Sequence, residues 1–190
     1  VEKYNVRMGA YLLARSAKYF PPRTIHVAVV DPGVGSSRRP ILIDTNSGIF
    51  IGPDNGVLSL AAIEAGMRHI YLIDNPNYLL ERVSETFHGR DIFAPVAGHI
   101  ANGVDPSEVG HEVYDYQKPS YAEPEVKGRR RIVGEVIYID SFGNIVINIT
   151  YKLLRSIGGE VGSKVRIILG EGKRFETCLL YTSDAADEED

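Results

Sequence analysis

The chain has few of the residues on which sulfur chemistry depends. Its 190 residues include one cysteine, Cys178, and no tryptophan. A single cysteine excludes an internal disulfide framework, and it gives no support to a cysteine-based zinc site or a cysteine nucleophile. Candidate chemistry is therefore carried by carboxylate, histidine and arginine side chains.

Long apolar runs and a large excess of charge are also missing. No run approaches the roughly 20 apolar residues that span a bilayer, and no signal peptide is visible, so we expect a cytoplasmic protein without a membrane partner. A formal net charge of -4 gives no reason to expect nucleic-acid binding. The composition, 44% hydrophobic and 24% charged, is typical of a soluble globular protein.

The two ends of the sequence predict a fragment. It begins at Val1 without an initiator methionine, and its last 13 residues, CLLYTSDAADEED, resemble translated adapter sequence. We therefore expect residues 178–190 to be a non-native tail. This tail holds five of the 25 acidic residues and no basic one, so formal charge without it is +1.

Helix and strand signals alternate through the first 118 residues. They predict helices at 6–20, 58–65 and 92–101, and strands at 25–29, 41–44, 48–51 and 69–73. Asp91 stands where the N-cap of the third helix is expected. Alternation at this spacing favours an α/β domain over residues 1–118 with a largely parallel central sheet.

The pattern changes beyond this domain. Proline-containing sequence with little periodicity predicts a linker at residues 119–129. Residues 130–177 then alternate like strands of an antiparallel sheet or barrel. About 50 residues are marginal for an independent core, so we expect a partial second domain.

The stretch IHVAVVDPGVGSSRRP, residues 25–40, joins a buried strand to a charged loop. Ligands of open α/β sheets bind beyond the carboxyl ends of such strands. Asp31 would lie there, and Arg38, seven residues later, can fold back toward it. The alternative is a turn capped by Asp31, with Arg38 and Arg39 in solvent.

Two further stretches carry candidate site residues. TFHGRDIFAP, residues 86–95, places His88 just before a helix N-terminus, which favours anions. IDSFGNIVINI, residues 139–149, places Phe142 and Asn144 around a glycine turn. An aromatic ring can stack on a base and a carboxamide can pair with the adenine edge, although an ordinary β-turn explains the same residues.

Taken together, four stretches resemble the S-adenosylmethionine hydroxide adenosyltransferases, relatives of the fluorinase and chlorinase halogenases. They are VAVVDPGVGSSRRP, GPDNGVLS, ETFHGRDIFAPVAGHIANG and YIDSFGNIVINI, in this order. The resemblance, from about Val6 to Leu169, implies an α/β amino-terminal domain, a carboxy-terminal β-barrel and a homotrimer with active sites between neighbouring subunits. It also implies that segments before Val1 and after Thr177 are absent, so that both domains are truncated and this fragment is poorly active.

The resemblance further implies a reaction and its residues. Hydroxide would displace methionine from the 5′ carbon of S-adenosyl-L-methionine, the small-molecule substrate, with no metal and no cofactor. The catalytic set maps onto Asp31, Arg38 and His88, and which of Asp31 and His88 acts as base is left open. By analogy the substrate-binding residues are Asp140 for the methionine ammonium, Asn144 for the adenine, and Phe142 and Phe87 for the purine or sugar surface.

Other functions are compatible with the same residues. The halogenases carry a tyrosine where Asp31 stands and lack a counterpart of His88, a difference that favours water as the nucleophile. The protein could also bind S-adenosylmethionine or adenosine without turnover. A metal-dependent hydrolase using Asp31, Asp54, His88 and Asp91 matches no known ligand spacing, and a purely structural module leaves the charged loop unexplained.

Overall fold

The computed structural model describes residues 1, 3–121, 123–170 and 173–178, the last six by their backbone alone. The chain divides into two compact units, Val1–Tyr121 and Ala122–Asp190. Most of the predicted tail, residues 179–190, lies outside the described residues. Among the residues described, no helix has the length and apolar character needed to cross a membrane.

The described residues of the first unit form three α-helices and five strands. The helices are α1 (Val6–Ala17), α2 (Ser59–Glu64) and α3 (Ala94–Ala101). The strands are β1 (Thr24–Val27), β2 (Pro40–Thr45), β3 (Gly48–Pro53), β4 (Met67–Leu72) and β5 (Glu112–Val113). A π-helical turn, Gly89–Phe93, precedes α3, and short 3-10 turns lie at Pro76–Tyr78 and Pro106–Val109.

The central sheet is mixed, so the expectation of a largely parallel sheet was wrong. Its strand order is β1-β3-β2-β4-β5, in which β1 and β3 run parallel and each of the other neighbouring pairs runs antiparallel. The physical reason is the short connection between β2 and β3, since two residues can join antiparallel strands only. A crossover long enough for parallel pairing separates β1 from β3 instead.

Each central strand contributes to both faces of the sheet, because successive side chains point in opposite directions. On β2, Ile41 and Ile43 pack with α1 and α2, whereas Leu42 packs with α3. On β3, Phe50 and Ile51 divide in the same way. The sheet is therefore covered on both faces, and its loops are held by a packed core.

The helix predicted at residues 92–101 begins later than expected. Asp91 does not cap it; the residue before α3 is Phe93, and no side chain caps this end. The π-helical turn inserts before the helix and buries Asp91. Pro95 lies in the first turn of α3, where a missing N–H does least harm.

The second unit, within the described residues, consists of antiparallel strand pairs and one short helix. The strands are β6 (Glu125–Val126), β7 (Ile132–Val133), β8 (Val136–Ile139), β9 (Ile145–Ile147), β10 (Lys164–Leu169) and β11 (Lys173–Cys178). They pair as β6 with β7, β8 with β9, and β10 with β11, and these described pairs do not close into a barrel. The sequence patterns did not predict α4 (Tyr151–Ser156), which Thr150 caps by accepting from the Leu153 N–H at 3.2 Å.

Phe50 is the first stability test, because its ring is only 1% exposed and packs in the core shared by the sheet with α1 and α2. We expect Phe50→Ala to lower the free energy of unfolding by about 3–5 kcal/mol, through lost burial and a residual cavity. Urea unfolding followed by circular dichroism measures the change. The control is Ile63→Ala, because Ile63 is 48% exposed; its free energy of unfolding should stay within about 0.5 kcal/mol of wild type. Equal losses in both variants would contradict the description of the core.

Candidate active site

The loop after β1 folds back on itself and brings two charged side chains together. The Ser36 N–H donates to the Gly33 carbonyl at 3.0 Å, and its hydroxyl donates to the same oxygen at 2.6 Å. Arg38 Nε then donates to Asp31 Oδ2 at 2.8 Å, and Nη2 of the same guanidinium donates to this oxygen as well. The side chains of Arg38 and Asp31 are 9% and 5% exposed, so the ion pair is largely removed from solvent.

His88 completes the cluster from a different part of the chain. It directly precedes the π-helical turn, and its Nδ1 lies 2.7 Å from Arg38 Nη2. Because a guanidinium can donate but not accept, Nδ1 must be the acceptor, and the neutral ring then carries its proton on Nε2. The Arg38 guanidinium also lies over the face of the Phe93 ring, with Cζ 5.4 Å from the ring centroid, which is a cation–π contact.

The surroundings of His88 favour its neutral form. Burial lowers the pKa of His88, and the positive charge of Arg38 lowers it further. The carboxylates of Asp31 and Asp91 oppose this change without reversing it. At neutral pH the ring is therefore suited to accept from Arg38 rather than to repel it.

The cluster retains one unused acceptor and one unused donor. Asp31 Oδ1 and Arg38 Nη1 are buried and have no hydrogen-bond partner among the described residues. Buried polar atoms of this kind are costly unless they are paired. Together they supply what a small polar molecule such as water requires, an acceptor for its proton and a cationic donor for its oxygen.

The GPDN turn at the end of β3, residues 52–55, holds the chain on both sides of this cluster. Asn55 Nδ2 donates to the Val30 carbonyl at 2.8 Å, which fixes the chain just before Asp31. Arg39 pairs with the buried carboxylate of Asp54, with Nη2 2.6 Å from Oδ2, and also with Asp115. The sequence patterns did not predict this pairing, which joins residues 15 apart in the chain.

The three carboxylates considered as metal ligands are each engaged with an arginine, as Asp31 is with Arg38. Asp54 pairs with Arg39, and Asp91 pairs with Arg90. In the part of the chain that the structure describes, no three His, Cys, Asp or Glu side chains come together as a metal-binding group.

Two family models match the sequence. The SAM hydroxide adenosyltransferase N-terminal domain matches residues 1–110, and the C-terminal domain of the same name matches residues 134–188. The chain belongs to the SAM hydroxide adenosyltransferase family.

Individual relatives agree with this membership. A (R)-S-adenosyl-L-methionine hydrolase of Salinispora arenicola is 41% identical over 158 residues, which are 80% of this chain and 59% of that protein. A fluorinase of Nocardia brasiliensis is 26% identical, with 96% of this chain and 69% of that protein covered. The crystal structure of an uncharacterized conserved protein from Thermotoga maritima matches with a TM-score of 0.84 and 38% identity, over 96% of this chain and 69% of that one. This family member thus spans somewhat more than half the length of the Salinispora protein.

The candidate substrate-binding residues of this family member lie on exposed loops. In the second unit, Asp140 accepts from the backbone N–H groups of Phe142 and Asn144 at 2.9 and 2.8 Å, and from Asn144 Nδ2 at 2.6 Å. The Asn144 bond is the main cause that lowers the pKa of Asp140. Phe142 is 91% exposed, and Phe87, also exposed in the first unit, has the Arg90 guanidinium over its ring, with Arg90 Cζ 5.0 Å from the ring centroid.

Gly35 provides a test of the loop conformation. Its φ is +78°, and a Cβ added there would lie 2.7 Å from the Glu85 carbonyl oxygen. We expect Gly35→Ala to cost about 1 kcal/mol or more, from the left-handed backbone and from displacement of the segment before His88. Urea midpoints measure this. Gly33→Ala is the matched control, because Gly33 lies outside the positive-φ region and the nearest atoms to its Cβ would be Ser36 Oγ at 3.3 Å and Arg38 Cγ at 3.5 Å; a larger loss at Gly33 would disprove the described loop.

Two partly buried histidines, His26 and His88, predict a loss of stability on mild acidification. Burial is the largest cause lowering the pKa of both His26 and His88 from 6.5, so the unfolded chain binds protons near pH 6 that the folded chain does not. This proton uptake favours unfolding, and stability therefore falls as pH decreases below about 6.5. Urea midpoints at pH 7.5 and 5.5 test the sign. His26→Gln and His88→Gln should each reduce the difference; a higher midpoint at pH 5.5 would refute the expectation.

Proposed function

We propose that the protein hydrolyses S-adenosyl-L-methionine to adenosine and L-methionine, by attack of water, as hydroxide, on the 5′ carbon. The observation that carries the proposal is the largely buried ion pair of Asp31 and Arg38 with His88 beside it, in which one acceptor and one donor are unused. Membership of the SAM hydroxide adenosyltransferase family supports it, as does the hydrolase name of a relative at 41% identity.

Water must lose a proton to become an effective nucleophile at neutral pH, since its own pKa is about 15.7. In the proposed mechanism, Arg38 Nη1 stabilises the hydroxide and Asp31 Oδ1 accepts the proton. His88 Nδ1 is already used as an acceptor by Arg38 Nη2, so we place His88 beside the guanidinium rather than on the water. On this division of roles, we propose Asp31 as the base.

The chemical step requires no redox partner. The hydroxide oxygen forms a bond to the 5′ carbon, the bond from that carbon to sulfur breaks, and its electron pair leaves with the neutral thioether of methionine. An anion and a sulfonium are thereby converted into neutral groups, so the reaction is favoured where bulk water is excluded and the two reacting atoms are aligned. Neither a cofactor nor a metal ion is part of this proposal.

The residues on the exposed loops are proposed to hold the substrate. An ionised Asp140 suits the methionine ammonium, and the Asn144 bond that lowers its pKa supports that charge state. Asn144 would pair with the adenine edge, and the exposed rings of Phe142 and Phe87 would cover the purine or the sugar. Each of these roles extends the family resemblance to a residue of this chain.

Three features of the assembly are also proposals. The antiparallel pairs of the second unit support a β-barrel in the full-length protein. We propose the domain limits 1–118 and 130–177 joined by a linker at 119–129, and a homotrimeric assembly. Analytical ultracentrifugation tests the trimer, and a monomer at micromolar concentration would exclude it.

The experiment that tests the function is chromatography of S-adenosyl-L-methionine incubated with the full-length protein in chloride buffer. Adenosine and methionine, absent with Asp31→Ala, are the expected products. A halogenated nucleoside would instead identify a halogenase. Unchanged substrate together with measurable binding would identify a sensor and would refute hydrolysis.

Variants of the ion pair test the mechanism. We expect Arg38→Lys and Asp31→Asn to lower kcat by about 10²- to 10⁴-fold, because an ammonium does not reproduce the guanidinium fork and a carboxamide cannot take the proton of water. The matched controls are Arg68→Lys and Asp44→Asn, which alter a more exposed ion pair between β4 and β2. Steady-state kinetics of folded variants measures the effect. Near-normal kcat in Arg38→Lys would remove Arg38 from the mechanism.

A further inference from the structure

The turn between β6 and β7 carries the densest positive charge in the sequence. Its five residues, KGRRR at 127–131, include four basic side chains. The strands on either side pair through Glu125 with Val133 and through Val126 with Ile132, so this turn is the tip of a β-hairpin. The proposed hydrolysis uses none of these charges, and their concentration at one tip requires an explanation of its own.

The backbone of the tip is closed by a hydrogen bond, and its side chains are open to solvent. The Lys127 N–H donates to the Arg131 carbonyl at 2.8 Å. Gly128 has a φ of +68°, and a Cβ added there would meet no atom within 4 Å. All five residues of the tip are exposed. The basic side chains are therefore displayed together on a defined turn.

Most of the charge at the tip has no opposite partner. Lys127 Nζ lies 3.1 Å from Glu125 Oε2, in an exposed ion pair. Within the described parts of the chain, the side chains of Arg129, Arg130 and Arg131 form neither an ion pair nor a hydrogen bond. Neighbouring like charges repel one another, so three uncompensated guanidinium groups favour an anionic partner.

The two units also differ in the sign of their formal charge. Residues 1–121 contain 11 basic and 13 acidic residues, which gives -2. Residues 122–177 contain ten basic and seven acidic residues, which gives +3, and four of those ten lie at the tip. Charge asymmetry of this kind indicates contact with a polyanion. The net charge of the whole chain conceals it, because the two units partly cancel.

The chemistry of the tip suits phosphate groups that are spaced along a nucleic acid. A guanidinium can donate two parallel hydrogen bonds to a phosphate, and its flat face can stack on a base. Basic clusters that bind anionic membranes usually adjoin an amphipathic or membrane-spanning helix. The tip has no apolar side chain, and it is flanked by two-residue strands. These features favour nucleic acid over a membrane.

We propose that the tip, residues 127–131, binds the phosphate backbone of a nucleic acid through its four basic side chains, without reading the base sequence. This binding is independent of the proposed hydrolysis of S-adenosyl-L-methionine. Four contacted phosphates of a DNA duplex give a slope of about -3.6 for the logarithm of the binding constant against that of the salt concentration. Affinity should therefore fall about 150-fold between about 50 and 200 mM salt.

The experiment is fluorescence anisotropy with the full-length protein at those two salt concentrations. The probes are a labelled DNA duplex of about 20 base pairs and, separately, a single-stranded RNA of about 20 nucleotides, because both carry the same phosphodiester chemistry. We expect salt-sensitive binding to at least one of them. The combined variant Arg129→Gln, Arg130→Gln and Arg131→Gln should bind at least about tenfold more weakly at low salt, with the duplex slope shallower by about 2.7.

A matched control removes the same charge from the other unit. Lys3→Gln, Arg23→Gln and Arg82→Gln together neutralise three exposed basic residues of the first unit. This triple variant should bind within about twofold of wild type. Equal weakening in the two triple variants would mean binding by overall charge and would overturn the proposal. Binding to neither probe at low salt would overturn it too, as would binding to anionic phospholipid vesicles but to neither nucleic acid.

Discussion

A guanidinium that is largely withdrawn from water must find acceptors, and the arrangement around Arg38 meets that requirement. Asp31 and His88 supply the acceptors, one from the loop before β2 and one from the turn before α3. A buried ion pair adds little net stability, because desolvation offsets most of the attraction. Its effect is instead on geometry, because Arg38 holds Asp31 and His88 at hydrogen-bond distance from the same guanidinium.

The rest of the first unit keeps these segments in place. The two faces of the mixed sheet are packed by α1 and α2 on one side and by α3 on the other, so the strands next to these segments are buried in the core. Asn55 fixes the chain before Asp31, and the pairing of Arg39 with Asp54 fixes the chain after Arg38. These hydrogen bonds attach the loop to the sheet, and a preorganised site requires side chains that are held in this way.

Local sequence patterns predicted many of the helices and strands of this fold. They failed where contacts between distant residues determine the structure. The apolar run before Asp31 and the periodicity of α1 are local signals, and the strand and the helix are found at those positions. The direction of pairing is not local, because an apolar strand covered on both faces reads the same in a parallel and in a mixed sheet. The six residues of α4 are too few to carry a clear helical period.

In the candidate site too, some features were predicted from local motifs and others were not. The motifs around Asp31, Arg38 and His88 identified side chains that the fold brings into contact, although their catalytic roles stay predictions. Asp91 was interpreted as a helix cap, since a π-helical turn shifts the helical period and leaves no mark in the sequence pattern. The partnership of Arg39 with Asp54 joins residues 15 apart in sequence, beyond the reach of any local rule.

The adjacency of Arg38 and Arg39 has a consequence for insertions and deletions. The Arg39 carbonyl accepts the Asp54 N–H at 2.8 Å, so the ladder between β2 and β3 already determines which of the two side chains turns toward Asp31 and which toward Asp54. In extended chain a slip of one residue reverses the facing of every side chain. Gaining or losing a single residue in this short stretch would exchange the two arginines while leaving the amino-acid composition almost unaltered. The length of the stretch therefore specifies the site as strictly as the identity of its side chains.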